Sequence, residues 1–240
     1  MRKAIFIADA HLKSPEGDEY RDIVKFLNNL KNDNELDAVF ILGDFFDFFV
    51  GFPHTIFYEH LEIMGLLKDL ENQNKSIFYL EGNHDFFLKK LNRYGSKINF
   101  IPGHLDLMLD GKFFLSHGDL LYEKDYAHRI MTFLIKNPFT NIFSYLLPPH
   151  LVYHFAHFVS RFSREQLRED FNHQMLDGFI KKAMEAGYSG AILGHFHKDD
   201  VIKRNIEEKK FTLYLLGSWQ LSRSYLLLEN GQIRFCTYNQ

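Results

Sequence analysis

The sequence predicts an α/β fold built on two sheets, with a helical insertion, and three observations predict it. Through the first half, short apolar runs of strand length alternate with amphipathic stretches of helix length, as in βαβ units with parallel strand pairs. From Leu105 onward the pattern changes to hairpin-like β structure. Within this second part lies an insertion at Asp125 to about Met175, helical in pattern and broken at its prolines.

Taken in order, Lys3 to Ala8 reads as a first strand. Tyr20 to Leu30 carries Ile23, Val24, Leu27 and Leu30 at helical spacing. Ala38 to Leu42 is a buried-strand run, Leu61 to Leu70 a second helix and Ser76 to Leu80 a third strand. Leu105 to Leu109 and Lys112 to Ser116 flank Asp110-Gly111, a hairpin turn. Phe179 to Ala186 begins another helix. Gly190 to Leu193, Phe211 to Leu216, Ser224 to Glu229 and Gln232 to Tyr238 read as strands, the last two joined across Asn230-Gly231. We see no internal repeat, and the expected organisation is one domain over 1–240 with an insertion at about 125–175.

Composition excludes several classes. A chain of 240 residues with 46% hydrophobic and 25% charged residues can bury a substantial core and is not disordered in bulk. One cysteine rules out an internal disulfide framework and suits a reducing compartment. A net charge of −3 gives no global basic footprint for nucleic acid. The apolar run that ends at Asp9 is too short for a signal peptide and reads as a strand. Asn137 to Ser160 lacks charges, but Pro138, Pro148, Pro149, His150, His154 and His157 argue against a spanning helix. The unusual counts are 13 His and 26 Phe.

Polar clusters follow the apolar runs: Asp9-Ala10-His11, Gly43-Asp44-Phe45-Phe46-Asp47, Gly82-Asn83-His84-Asp85, Ser116-His117-Gly118-Asp119 and Gly194-His195-Phe196-His197. Loops at the carboxyl ends of parallel strands converge on one crevice, so these clusters can meet in space. Imidazole nitrogen with carboxylate and amide oxygen is the donor set that borderline divalent metals accept. His195 and His197 on an irregular loop can face two different ions, and one Asp carboxylate can bridge a pair about 3.5–4 Å apart. Asp47 and Asp119 read better as orienting groups or loop caps than as ligands. His150, His154 and His157 lack neighbouring carboxylates and read as a polar helix face.

The ordered set D-x-H, G-D-x-x-D, G-N-H-D, H-G-D and G-H-x-H over residues 9 to 197 resembles the calcineurin-like metallophosphoesterases. The resemblance implies a four-layer α-β-β-α sandwich with a dinuclear centre of two divalent ions, Mn²⁺ for preference. It implies Asp9, His11 and His197 on the first metal, Asn83, His117 and His195 on the second, and Asp44 bridging. It also implies His84 beside the reacting phosphate, with Asn83 and His195 close enough to touch substrate. Such a pair lowers the pKa of bound water and neutralises charge on phosphoryl oxygens. No G-x-S-x-G or P-loop sequence offers a competing hydrolytic site.

Within the family, the short loop after Asp44, the insertion after His117-Gly118-Asp119 and the Leu216-Gly217-Ser218-Trp219 segment are similar to the branch that acts on UDP-2,3-diacylglucosamine in lipid A biosynthesis. That branch implies cleavage to UMP and 2,3-diacylglucosamine 1-phosphate, in the cytoplasm at the inner-membrane surface of a Gram-negative bacterium, with the insertion as a lid. Asp125 and Ser163 fall where substrate contacts are expected. Many members carry Arg at the position of His84, and Asn and Lys at those of Leu167 and Asp170, so this chain departs there.

From Tyr126 to Met175 the insertion holds five basic side chains against three acidic ones, and Arg161, Arg164 and Arg168 recur at helical spacing, a surface for anionic headgroups or a sugar phosphate. Phe45, Phe46, Phe48, Phe49, Phe52 and Phe57 could line an acyl groove, although such clusters are more often core. Seven more phenylalanines lie in the insertion, and this clustering favours a lipid-bearing substrate. The competing expectations are a phosphoesterase for nucleotides or other soluble esters, and a non-catalytic metal-binding scaffold. Trp219 is expected in the core near the site, and Cys236 is expected to have no catalytic role.

Overall fold

The structure, a computed structural model, describes residues 1–51, 58–94, 97–121, 148, 173–206 and 208–239. The insertion therefore lies outside the described residues except for Pro148 and its last turn, a 3₁₀ helix at His173–Leu176.

In chain order the elements are β1 (Lys3–Ile7), α1 (Asp18–Lys31), β2 (Ala38–Leu42), β3 (Phe49–Val50), α2 (Tyr58–Asn72), β4 (Ser76–Leu80), β5 (Asp85–Phe86), β6 (Asn99–Ile101), β7 (His104–Met108) and β8 (Lys112–Ser116). After the insertion come α3 (Asp177–Glu185), β9 (Gly190–Leu193), β10 (Asp200–Ile206), β11 (Lys209–Leu215), the short helix α4 (Trp219–Ser222), β12 (Ser224–Glu229) and β13 (Gln232–Thr237). One sheet runs β13-β12-β1-β2-β4-β6 and a second runs β10-β11-β9-β8-β7. Strands β1, β2, β4 and β6 are mutually parallel, as are β8, β9 and β11.

Side-chain alternation explains the layers. In β1 and β2, Ala4, Phe6, Ala38, Phe40 and Leu42 face the second sheet, where they join Phe113, Leu115 and Ile192. Ile5, Ile7, Val39 and Ile41 face the other way, against Tyr20, Ile23 and Leu27 of α1 and Ile63 and Leu67 of α2. On the far side, Ile180, Ala183 and Met184 of α3 cover Ala191, Leu193, Leu213 and Leu215 of the second sheet. The order is thus helices, sheet, sheet, helix. These strands are continuous apolar runs because both faces are buried.

Between the sheets, Phe6, Phe40 and Phe78 stand in register across β1, β2 and β4. Their rings stack at 4.7 and 4.8 Å. Each such pair adds about 0.5–1.5 kcal/mol beyond its buried area. This fixes the register of the three strands whose carboxyl ends carry Asp9, Asp44 and Asn83.

Helix α1 starts two residues before its predicted first residue, because Asp18 and Glu19 suit the positive end of the helix dipole. Strand β10 is absent from the sequence reading. It alternates exposed charged residues with Ile202 at an edge of the sheet, so it lacks the apolar run that marks the others. Trp219 is fully buried, packs on Phe26 and Tyr238, and donates from Nε1 to the Glu19 carbonyl at 3.2 Å.

Candidate metal centre

Five side chains at the carboxyl ends of the strands sit on backbone that L-residues rarely adopt: Asp9 (φ 53), His11 (φ 43), Asp44 (φ 52), His195 (φ 69) and His197 (φ 52). Such conformations cost about 1–3 kcal/mol each and persist only where the surroundings over-determine them. Backbone bonds do so here, with Asp9 N donating to Gly43 O at 3.2 Å and His11 N to Asp44 O at 3.0 Å. Gly43, itself at φ 81, leaves room for His117: a Cβ there would lie 2.7 Å from His117 Nδ1.

Asp9, His11 and His197 form one cluster. His197 Nε2 lies 3.3 Å from Asp9 Oδ1, and His11 Nε2 lies 3.9 Å from the same oxygen and 3.4 Å from His197 Nε2. The other oxygen, Asp9 Oδ2, accepts from His195 N at 2.8 Å, which orients the carboxylate.

Asn83, His117 and His195 form a second. His117 Nε2 is 3.0 Å from Asn83 Oδ1, 3.3 Å from His195 Nδ1 and 3.3 Å from Asp44 Oδ2. His117 Nδ1 donates to the Leu42 carbonyl at 2.9 Å, so in the neutral ring Nε2 presents a lone pair to the cluster. Asp44 stands with Asp9 and His117 in one group of mutually close donors, and with His11 and His84 in another, so it touches both clusters. The i, i+2 histidines of the Gly194 loop do face different clusters, His195 toward His117 and His197 toward Asp9.

His84 is buried beside them, its ring edge-on to His11 at 5.0 Å and its Nε2 3.8 Å from Asp44 Oδ2. Its Nδ1 donates at 2.8 Å to the carbonyl of Asp47, so the main chain of Asp47 orients it, where the sequence suggested a carboxylate.

The electrostatics favour added positive charge. Burial opposes the His117 imidazolium, yet Asp44 beside it, by charge and hydrogen bond, carries its pKa to about 10. Burial likewise opposes His197, and Asp9 raises it. For Asp44, burial is outweighed by His117 and His84, which hold its carboxyl well below the usual range. His11 is pushed well below its ordinary value by burial and by the neighbouring histidines, against the opposing pull of Asp44. Asp9 Oδ1 is buried and receives no hydrogen bond. A carboxylate oxygen left without a donor among converging imidazole and amide donors fits a divalent cation, and the absence of thiolate suits the harder ones.

Asp125, Arg161, Ser163, Arg164 and Arg168, with the departures at Leu167 and Asp170, lie outside the described residues, as do His150, His154 and His157. Of the two readings of the phenylalanines after Asp44, core or acyl groove, the described residues favour the core. Phe45, Phe46 and Phe49 are fully buried in the main core against Tyr79 and His60, and Phe52 and Phe57 lie outside the described residues. Phe48, alone of the four described, joins a small satellite group with Val50, Phe86 and Phe87. Two residues that hold the site were missed. Asp85 accepts hydrogen bonds from both the Asp44 and Gly82 loops, and Ser218 Oγ donates to the Asp9 carbonyl at 2.7 Å. The first stands inside a motif and the second inside the Leu216-Gly217-Ser218-Trp219 segment, but the partners of neither can be read from residue type.

A family model described as calcineurin-like phosphoesterase matches residues 2–199. A protein named UDP-2,3-diacylglucosamine hydrolase from Psychromonas ingrahamii is 25% identical over 236 residues, 96% of this chain and 95% of its own length. Proteins of the same name from Pseudomonas fluorescens (28%, covering 90% of this chain and 86% of its own) and Neisseria meningitidis serogroup B (24%, 96% and 95%) are similar to it as well. Among solved structures, an archaeal phosphodiesterase shares the fold with a TM-score of 0.51 at 17% identity, over 98% of this chain and 99% of that one.

Proposed function

The chain belongs to the calcineurin-like phosphoesterase family, a family of metal-dependent hydrolases, and we propose that it cleaves the diphosphate bond of UDP-2,3-diacylglucosamine to UMP and 2,3-diacylglucosamine 1-phosphate. The observation that carries the reaction class is the convergence of Asp, Asn and His donors on two adjoining clusters with Asp44 touching both. The substrate is supported by likeness to relatives named for it over nearly the whole of both chains.

In this reading Asp9, His11 and His197 hold one divalent cation, Asn83, His117 and His195 a second, and Asp44 bridges them. Mn²⁺ is the first choice for both. When bound, such a pair acidifies water and neutralises charge on phosphoryl oxygens. The chain's own residues do the rest. With Nδ1–H committed to the Asp47 carbonyl, His84 turns Nε2 into the cleft, where a proton held there passes to the departing phosphate oxygen. Asn83 and His195 contact the phosphoryl group undergoing attack.

Two features support a lipid-bearing substrate. Leu120, three residues after His117, and Leu221, on the short helix whose backbone donates to the Asp9 carbonyl, are exposed apolar side chains. The satellite group of Phe48, Val50, Phe86 and Phe87 adjoins the loops of Asp47 and His84. The basic surplus in segment 125–175, with Asp125 and Ser163, suits a capping segment that meets headgroup and sugar phosphate. Among the described residues no helix is long and apolar enough to cross a membrane. We place the chain in the cytoplasm, peripherally on the inner membrane. A soluble phosphoester is the second reading, favoured by His84 where many members of the diacylglucosamine branch carry Arg.

The test is incubation of Mn²⁺-loaded protein with UDP-2,3-diacylglucosamine in detergent, following UMP. Release of UMP is expected; turnover of a simple phosphodiester without UMP would select the second reading. Replacing Arg161, Arg164 and Arg168 with Ala should impair the lipid substrate far more than a soluble diester, and equal losses would remove the capping role.

A further inference from the structure

Asp85 is a fully buried carboxylate with no cationic side chain among its hydrogen-bond partners. Oδ1 accepts from Asp44 N at 3.0 Å and Gly82 N at 2.6 Å; Oδ2 accepts from Phe45 N at 3.0 Å and Tyr79 Oη at 2.7 Å. The three amides come from two separate loops, one after β2 that presents Asp44 and one after β4 that presents Asn83. The loops are also locked directly, since His84 N donates to Asp44 Oδ1 at 2.9 Å and a Cβ on Gly82 would lie 2.2 Å from that oxygen. A neutral acceptor could not serve as well, because only a carboxylate offers acceptor sites on both oxygens and no donor.

From this geometry we infer that Asp85 is the positioning residue of the centre: its charge ties the Asp44 and Asn83 loops together and so sets the spacing of the donors that would hold both cations. It touches neither substrate nor cation; it acts through the backbone of its neighbours. The inference rests on the reading of Asp44 and Asn83 as cation ligands. Groups that orient metal ligands cost about 10- to 100-fold in metal affinity or activity when replaced. Asp85→Asn keeps the shape but turns an N–H₂ toward Phe45 N–H and Tyr79 Oη; the tyrosine hydroxyl can reverse and accept, the amide cannot. One buried donor is then left facing another.

The experiment is calorimetric titration of Mn²⁺ into the full chain, wild type against Asp85→Asn, with near-ultraviolet circular dichroism to establish that each is folded. A folded Asp85→Asn chain is expected to bind Mn²⁺ about 10- to 100-fold more weakly. Binding by that folded variant with wild-type affinity would overturn the inference while leaving the proposed function standing. A wild-type chain that bound no Mn²⁺ would overturn the proposed function and the inference with it. Should Asp85→Asn fail to fold, Tyr79→Phe removes one neutral donor and keeps the ring: it is expected to weaken binding about three- to tenfold, and unchanged affinity would overturn the inference.

Discussion

The two sheets contribute unlike halves to the cleft. The first supplies Asp9, His11, Asp44, Asn83 and His84 from the loops after β1, β2 and β4, and these loops hold one another: Asp9 N to Gly43 O, His11 N to Asp44 O, His84 N to Asp44 Oδ1, and Asp85 across the Asp44 and Gly82 loops. The second supplies His117, His195 and His197, and its side chains are aligned by leaning on the first. His117 Nδ1 donates to Leu42 O, and His195 N donates to Asp9 Oδ2. One half is assembled by its own backbone; the other takes its register from that half. Damage to the first should therefore spread across the whole centre, whereas damage to the second should stay local.

Asp44→Ala strikes the residue common to both clusters and should have the largest effect. Loss of activity to about one part in 10³ or lower is expected, the scale of losing a principal electrostatic stabiliser, together with loss of bound metal by elemental analysis. His84→Ala removes a side chain of the same half that holds no cation in this reading. It should cost about 10²-fold or more in kcat, the scale of a proton-transfer group, with metal content unchanged. If metal content fell with His84, the division between holding and proton transfer would be wrong.

Gly43→Ala tests the seam. Its Cβ would meet both His117 and the Gly82 backbone, at a positive φ that Ala resists, and a loss of about 1–3 kcal/mol in urea unfolding is expected. Gly103→Ala is the control, since Gly103 has φ +94 but nothing within 4 Å. It carries the conformational cost alone, and equal losses at the two positions would mean that the seam contributes nothing.

The smallest effect at neutral pH is expected at His60, which lies beneath the Asp44 loop and donates to the Phe48 carbonyl at 3.0 Å. Burial, against the opposing pull of that carbonyl, depresses its pKa to about 4 from the ordinary 6.5. The folded state thus refuses a proton that the unfolded chain accepts. The stability this contributes is complete above pH 6.5 and is lost as pH falls toward 4, by about 3 kcal/mol in all. His60→Gln should flatten that part of the stability–pH curve in thermal melts; an unchanged slope would place the acid sensitivity elsewhere.

Much of the first half was legible because its strands are buried on both faces. Lys3–Ile7, Ala38–Leu42 and Ser76–Leu80 stand out as apolar runs, and the rule that carboxyl-end loops converge then assembled Asp9, Asp44 and Asn83 on paper. Edge and very short strands were not legible: Asp200–Ile206 is exposed on one face, and Asn99–Ile101 has three residues. The left-handed backbone at Asp9, His11 and Asp44 leaves no mark on residue type, as a glycine would. Asp85 stood in the Gly82-Asn83-His84-Asp85 cluster without a role of its own, because its meaning lies in burial and partners. The phenylalanines after Asp44 admitted two readings, of which the core is the commoner. Their density suggested a surface for acyl chains, yet Phe45, Phe46 and Phe49 close the core beneath the Asp44 loop.

The central claim is a cation pair bridged through Asp44, and the most direct measurement is electron paramagnetic resonance of the wild-type chain titrated with Mn²⁺. Two equivalents bound with an exchange-coupled spectrum are expected, because a shared carboxylate couples the two spins. Saturation at one equivalent, or two equivalents with the spectrum of isolated Mn²⁺, would contradict it.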